Sequence, residues 1–261
     1  MKTIKQKQFA NGAVYALMTE DGFPVEVTDT FLPFYTKDAI GRKQNKLVDG
    51  DMGNRTERWM VGISCMSGCP VRCKFCATGK LRKWRCLTAD EIVEQVEFVV
   101  KQNPTFNPRE AKEFKINYTR MGEPFLNLLN VRAAICAIDA VYPNAHHYIS
   151  TIGVAGSDFG WIKGNVTLQV SLHSLDEAKR DWLIPYRKKI PLTDLGKIRT
   201  ESNLKTTLNL TLVDETDWNA DKLAEIFDPA KFFVKISPIN KNCVSDANNL
   251  GTGVIEGVNL L

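Results

Sequence analysis

No run of apolar residues in this 261-residue chain approaches the roughly 20 that a membrane-spanning helix requires. The basic N-terminus has its apolar stretch broken by Asn11 and Gly12, so it does not read as a signal peptide. A cytoplasmic protein with no membrane association is the expectation. Internal repeats and low-complexity tracts are also lacking, and nothing in the composition points to a fibrous or disordered chain. There is no strong excess of one charge. The 34 basic and 30 acidic residues leave a net +4, which permits a polyanionic partner without demanding one. A disulfide framework is missing too, because the seven cysteines are odd in number and the chain does not look secreted. What is present suits a globular fold: 44% of residues are hydrophobic and 25% charged, enough for a core in one large domain or two small ones.

From Met60 onward, short β-like runs alternate with helical ones. Strands are expected at Met60–Cys65, Phe114–Thr119, Tyr148–Ile152, Val166–Leu172, Thr206–Val213 and Phe232–Ser237. Thr88 reads as a helix N-cap with Glu91 as its capping-box partner, and Ile92, Val93, Val96, Val99 and Val100 follow at helical spacing. Further helices are expected at Leu128–Val141, Asp176–Leu183, Leu192–Glu201 and Asp221–Phe227. About six β/α units imply a parallel sheet with right-handed crossovers. The fold class expected is α/β, an incomplete (β/α)6 barrel, with an open doubly wound sheet as the alternative. Residues 1–59 read as a small N-terminal β extension with a polar loop over 36–57. Residues 60–240 would form the partial barrel and 241–261 a loose tail.

The strongest signal is Gly68–Cys76, GCPVRCKFC, a C-x3-C-x2-C loop just after the first barrel strand. Closely spaced thiolates in one loop can wrap a metal centre, and cysteine is the usual ligand of iron–sulfur clusters. Zinc is the competing reading. A structural zinc site normally uses two ligand pairs separated by a longer arm, and this spacing is too compressed for one. Buried small hydrophobes are the third reading. Cys65, Cys86 and Cys136 read as packing residues.

C-x3-C-x2-C with Phe75 before the last cysteine resembles the radical S-adenosylmethionine (SAM) superfamily. That resemblance implies a [4Fe-4S] cluster on Cys69, Cys73 and Cys76, with one iron left open for the amino and carboxylate groups of SAM. Reductive cleavage of SAM to a 5′-deoxyadenosyl radical would follow. Further stretches are similar to the RlmN/Cfr family of RNA adenine methyltransferases over roughly residues 58–240. They are Gly68–Gly79, Leu87–Val96, Met121–Val131 (MGEPFLNLLNV), Ser150–Gly153 (STIG), Val170–Ser174 (VSLHS), Ile184–Lys189 (IPYRKK) and Ile236–Asn240 (ISPIN). Asp21–Glu26 resembles the small β segment before that family's barrel.

The resemblance implies roles residue by residue. Gly122 and Glu123 would contact the amino end of SAM. Ser150, Ser171 and His173 would bind its ribose or carboxylate. Asn240 would hydrogen-bond the adenine, and Phe75 would pack near it. RNA, ribosomal or transfer, would be the substrate, and an electron donor such as flavodoxin or ferredoxin a partner. Basic residues around an aromatic suit phosphate contact and stacking, which makes Lys80, Arg82, Lys83, Trp84 and Arg85 a candidate RNA surface. Arg187–Lys189 is a second basic run. His146 and His147 read as structural.

Two thiols of the family's methyl-transfer chemistry have no counterpart at the matching positions. The late methyl-carrying cysteine is not matched by Cys243, three residues past Asn240, and the second family cysteine falls on Gly62. The family's N-terminal helical RNA-binding domain is also not matched. The expectation is therefore a radical SAM enzyme acting on RNA by a route other than the family's methyl transfer. The alternatives are a radical SAM enzyme acting on a small molecule or peptide, and a non-catalytic metal- or cluster-containing RNA-binding module.

Overall fold

The computed structural model describes residues 1–33, 52–211, 213 and 219–251, with the backbone of two-residue strands at Thr36–Lys37, Lys43–Gln44, Val254–Ile255 and Val258–Asn259. Most of the loop expected over 36–57, and the end of the tail expected over 241–261, lie outside the described residues. The architecture is mixed α/β. It divides into two compact units: residues 1–67, 86–121 and 127–148, and residues 68–85, 122–126 and 149–261. No helix among the described residues is long and apolar enough to cross a membrane.

In the first unit β1 (Lys2–Phe9), β2 (Gly12–Met18) and β3 (Pro24–Leu32) form an antiparallel meander. β3 pairs antiparallel with β4 (Arg58–Gly62), which runs parallel to β5 (Glu113–Tyr118). β1 is exposed along its whole length and carries Lys2, Lys5 and Lys7, charges that discourage pairing at an open edge. On β5, Phe114, Ile116 and Tyr118 are buried and alternate with half-buried residues, the period-two pattern of a strand with one face in the core.

The capping box at Thr88 forms as expected, Thr88 and Glu91 each satisfying the other's backbone N–H, and starts α1 (Ala89–Gln102). Ile92, Val96 and Val99 form its buried stripe. Each gains roughly 1.5–3 kcal/mol from full burial. α2 (Leu128–Val141) covers the expected range and buries Val131, Ala134, Ile135 and Ile138. Gln95 is a buried polar residue in α1 with both ends used. Its Nε2 donates to Ser64 O at 2.9 Å, and its Oε1 accepts from Ser64 N–H at 2.8 Å. This pins the chain leaving β4.

The first barrel strand is shifted from expectation. It runs Arg58–Gly62 rather than Met60–Cys65. Ile63 to Met66 are buried, but only Ile63 N–H still bonds to the neighbouring strand, at Asn117 O, while Cys65 and Met66 turn to the loop carbonyl of Met121. Arg58 can sit in the strand, almost fully buried, because Glu113 on the neighbouring strand pairs with it.

β6 (Ala145–Thr151) begins in the first unit and its last residues belong to the second. There the strand order continues through β7 (Val166–Ser171), β8 (Thr206–Thr211) and β9 (Phe232–Ser237), with β7, β8 and β9 parallel to one another. The strands of neither unit close into a barrel among the described residues. Between β7 and β8 lie α3 (Glu177–Leu183) and the single turn α4 (Leu192–Leu195). α4 falls short of the expected Leu192–Glu201. The chain turns at Gly196, where an added Cβ would lie 1.9 Å from the carbonyl oxygen of Ile226. α5 (Ala220–Ile226) precedes β9, and a short helix, α6 (Cys243–Ala247), forms where the sequence predicts only a loose tail.

Candidate functional site

Every residue expected to hold the cluster, SAM or RNA lies in the second unit, gathered from its three separate stretches of chain. The cysteine loop opens at Gly68, whose backbone has φ +70. A Cβ there would stand 2.6 Å from the carbonyl oxygen of Lys83 and 2.8 Å from Cβ of Trp84, so only glycine fits. Cys69, Cys73 and Cys76 are free and half-buried. Burial pushes the Cys69 thiol up to about 11, with the Glu123 and Cys76 charges adding to it and N–H bonds from Val71 and Arg72 opposing it. Cys73 is pushed well above the ordinary thiol range by burial and by the charges of Cys76, Cys69 and Glu123.

The three sulfurs therefore stand close enough to feel one another. As thiolates they would repel each other and Glu123 unless a cationic centre lay among them. That donor set fits an iron–sulfur cluster, whose iron favours deprotonated cysteine. Among the described residues no three His, Cys, Asp or Glu side chains converge on a single-ion site. Three ligands of a cuboidal cluster bind three different irons and need not converge on one point.

Glu123 sits in the turn after β5, behind Gly122 at φ +101 and ahead of Pro124. It is only 3% exposed. Its carboxylate accepts from Ile152 N–H at 2.9 Å, from Phe125 N–H at 3.2 Å and from the Thr151 hydroxyl. Burial outweighs these bonds and raises its pKa to about 7. The bonds to Thr151 and Ile152 bring Glu123 beside the end of β6, where Ser150 lies half-buried.

Ser171 is the last residue of β7. His173, two residues on, is buried in a left-handed conformation, φ +58. The N–H groups of Leu172 and His173 both donate to Asn209 O on β8, and Thr211 N–H donates to His173 Nδ1 at 3.2 Å. That bond places the neutral ring's proton on Nε2. Burial, with the nearby charge of Arg180, lowers the His173 pKa to about 4. The Phe75 ring stands edge-on to the imidazole, 4.7 Å between centroids. Asn240, three residues past β9, is exposed. The Asn242 side-chain amide donates both to Asn240 O and to Phe75 O, each at 2.9 Å. The cysteine loop, the His173 turn and the segment after β9 thus share one neighbourhood.

Lys80, Arg82, Lys83 and Trp84 are exposed, and Arg85 is half-buried. In the second basic run Arg187 and Lys188 are exposed, but Lys189 is buried and paired with Asp181. Its ammonium is therefore committed within the fold. His147 is structural, as expected from sequence, bonding the Tyr118 hydroxyl through Nδ1 and Asp139 through Nε2.

Arg180 gives no sign of its role in the sequence. This guanidinium on α3 is fully buried, donating to Ile152 O at 2.8 Å and Ile190 O at 2.9 Å. It holds the same residue, Ile152, whose N–H holds Glu123. In sequence it sits inside a charged run that reads as a solvated helix face.

No family model matches the sequence. Curated relatives do. The chain is 30% identical over 237 residues to a probable dual-specificity RNA methyltransferase RlmN of Chlorobium phaeobacteroides, covering 84% of this chain and 64% of that protein. It is 33% identical over 191 residues to the probable RlmN of Thermosipho melanesiensis, covering 68% and 54%. It is 31% identical over 206 residues to the dual-specificity RNA methyltransferase RlmN of Helicobacter hepaticus, covering 75% and 55%. The chain thus spans between half and two-thirds of the length of these relatives. A crystal structure of a radical SAM methyltransferase from Sphaerobacter thermophilus superposes with TM-score 0.68 at 23% identity, over 98% of this chain and 76% of that one. That likeness shows the fold, which is of the class expected from the β/α alternation.

Proposed function

We propose that this chain, which belongs to the RlmN-like radical SAM proteins, is an enzyme that holds a [4Fe-4S] cluster on Cys69, Cys73 and Cys76, cleaves SAM reductively and modifies RNA. The observation that carries the reading is the gathering in one unit of three neighbouring thiols with Glu123. When bound, the cluster and SAM supply one-electron cleavage of a carbon–sulfur bond, and the protein supplies binding and orientation.

Each of the chain's own groups has work that its chemistry allows. The Glu123 carboxylate, once ionised, can accept an N–H bond from the amino group of SAM, with Ile152 and Phe125 holding it in place. His173, neutral with its proton on Nε2, can donate to a ribose or carboxylate oxygen. Ser150 and Ser171, at strand ends, can do the same. Phe75 offers an apolar surface to the adenine, and Asn240 its amide. Arg82, Lys83 and Arg85 would contact RNA phosphates, with Trp84 available for stacking. RNA as substrate is supported by the relatives, which are named RNA methyltransferases.

The test uses anaerobically reconstituted protein with SAM, a reductant and RNA. Bound iron, release of 5′-deoxyadenosine and a mass-shifted nucleoside in the digested RNA are expected. Changing Cys69, Cys73 or Cys76 to Ala should abolish all three, while changing Cys136 or Cys243 should not. Protein that takes up zinc but no iron overturns the cluster. SAM cleavage with unaltered RNA overturns the substrate.

A further inference from the structure

We propose that the outer face of the cysteine loop, at Cys73, is the docking surface for an acidic one-electron donor protein. This rests on the cluster reading given above. Arg72, Cys73, Lys74 and Lys80 line an open hollow of about 230 Å3, walled on its far side by Val244 and Ala247 of α6. The wall is fixed to the loop. Asn248 Nδ2 donates to Lys74 O at 3.0 Å, and Asn242 Nδ2 donates to Phe75 O at 2.9 Å. Gly79 lets the loop fold tightly here, since a Cβ would meet Cα of Arg72 at 3.1 Å.

The hollow has one sign of charge. Three cations surround it and no carboxylate lines it. None of the three is in an ion pair among the described residues. Cations around a concavity draw in an anionic partner and speed its encounter. Cys73, one of the three proposed cluster ligands, lines that concavity, so a donor seated there is brought near the iron.

The other side of the loop is already committed. Phe75, two residues after Cys73, stands against His173, itself a candidate SAM contact. RNA must reach that inner side to be modified. An electron donor needs only proximity to a ligand, so the outer hollow admits it without displacing SAM. The hollow is lined by no aromatic side chain for base stacking, which favours a protein over RNA. The transfer balances simply. The donor loses one electron, the oxidised cluster gains it, and no bond or proton changes at the cysteines. A small, charge-rich contact is typical of electron-transfer partners.

Reconstituted holoprotein and a charge-reversed variant, Arg72→Glu with Lys74→Glu, would be reduced in stopped flow by reduced flavodoxin and, separately, by dithionite. Flavodoxin should reduce the wild type at a rate that falls as salt is raised. The variant should be at least about tenfold slower and indifferent to salt, with its dithionite rate unchanged. Equal flavodoxin rates in the two proteins overturn the proposal. So does loss of RNA binding in the variant with flavodoxin reduction intact, which would make the hollow an RNA site. If the double variant fails to hold iron, Lys74→Glu alone and the wild-type salt dependence decide. A wild-type rate flat in salt overturns the docking surface. Wild type that binds no dithionite-reducible iron overturns the cluster reading itself.

Discussion

The Glu123 carboxylate accepts the backbone N–H of Ile152 at 2.9 Å, joining the turn after β5 to the end of β6. Burial raises that carboxyl to about 7, so near neutrality a large share of it is protonated. The ionised carboxylate is the stronger acceptor for the N–H of the SAM amino group. SAM affinity should therefore rise as pH increases through about 7 and level off above it. In Glu123→Gln the profile should be flat and affinity at pH 8 lower by roughly tenfold or more, one pKa unit being about 1.4 kcal/mol. Isothermal titration between pH 6 and 8.5 reads this out. A wild-type affinity independent of pH would remove Glu123 from the site. Without ligand the same shift acts on folding in the opposite sense. The folded state binds the proton more tightly, so this group's contribution is full below about pH 4.3 and is lost as pH rises through 7.

His173 works the other way. Its folded pKa, about 4, lies below the ordinary value, so its contribution to stability is present above about pH 6.5 and is lost as pH falls through 4. The imidazole should show no titration between pH 5.5 and 8 when its ring carbon proton is followed by NMR. A midpoint near 6.5 would mean that the ring is solvated and not fixed by Thr211 N–H.

Much of this is legible in the sequence, for identifiable reasons. α2 can be read residue by residue because Val131, Ala134, Ile135 and Ile138 repeat at helical spacing. α1 can be read from the reciprocal bonds that Thr and Glu make three residues apart. The cysteine loop is legible because its spacing is local. What escapes depends on distant contacts. Nothing near Gly196 announces that the carbonyl of Ile226 packs against it where α4 has ended. Arg180 looks like one more surface charge until the carbonyls of Ile152 and Ile190 are seen to hold it. The early start of β4 depends on Glu113, over fifty residues away, neutralising Arg58.

Gly62 stands where the family resemblance would place a second thiol, and a side chain there would have to displace two others. A Cβ would lie 2.3 Å from Thr28 Oγ1 and 3.0 Å from Arg120 Cδ. Gly62→Cys should destabilise the fold by about 1–3 kcal/mol, the usual range for overpacking. Adding Thr28→Ala should recover most of the loss, because the two sites share one space. Chemical denaturation of the single and double variants checks this. Equal stability of Gly62→Cys and wild type would show that the corner can open.

The exposed stretch around Trp84 gives a salt-dependent prediction. Neutralising Arg82, Lys83 and Arg85 together should weaken RNA binding. The slope of log affinity against log salt should fall by up to about 2 to 3, nearly one unit for each phosphate that no longer meets a cation. Filter binding at several salt concentrations measures both. An unchanged slope would place the RNA elsewhere on the protein.

The second unit is assembled from three separated stretches, and the cysteine loop is the first of them. On a translating ribosome Cys69, Cys73 and Cys76 therefore emerge before Glu123, and long before β7, β8 and β9. Until those strands arrive the thiols belong to an unfinished chain, open to oxygen and to stray metal ions. If these thiols hold the proposed cluster within the finished unit, loading with iron and sulfide would wait until β9 has been made. Newly made protein should accordingly pass through a reduced, metal-free stage, whose survival depends on the thiol-protecting capacity of the cell in which it is made.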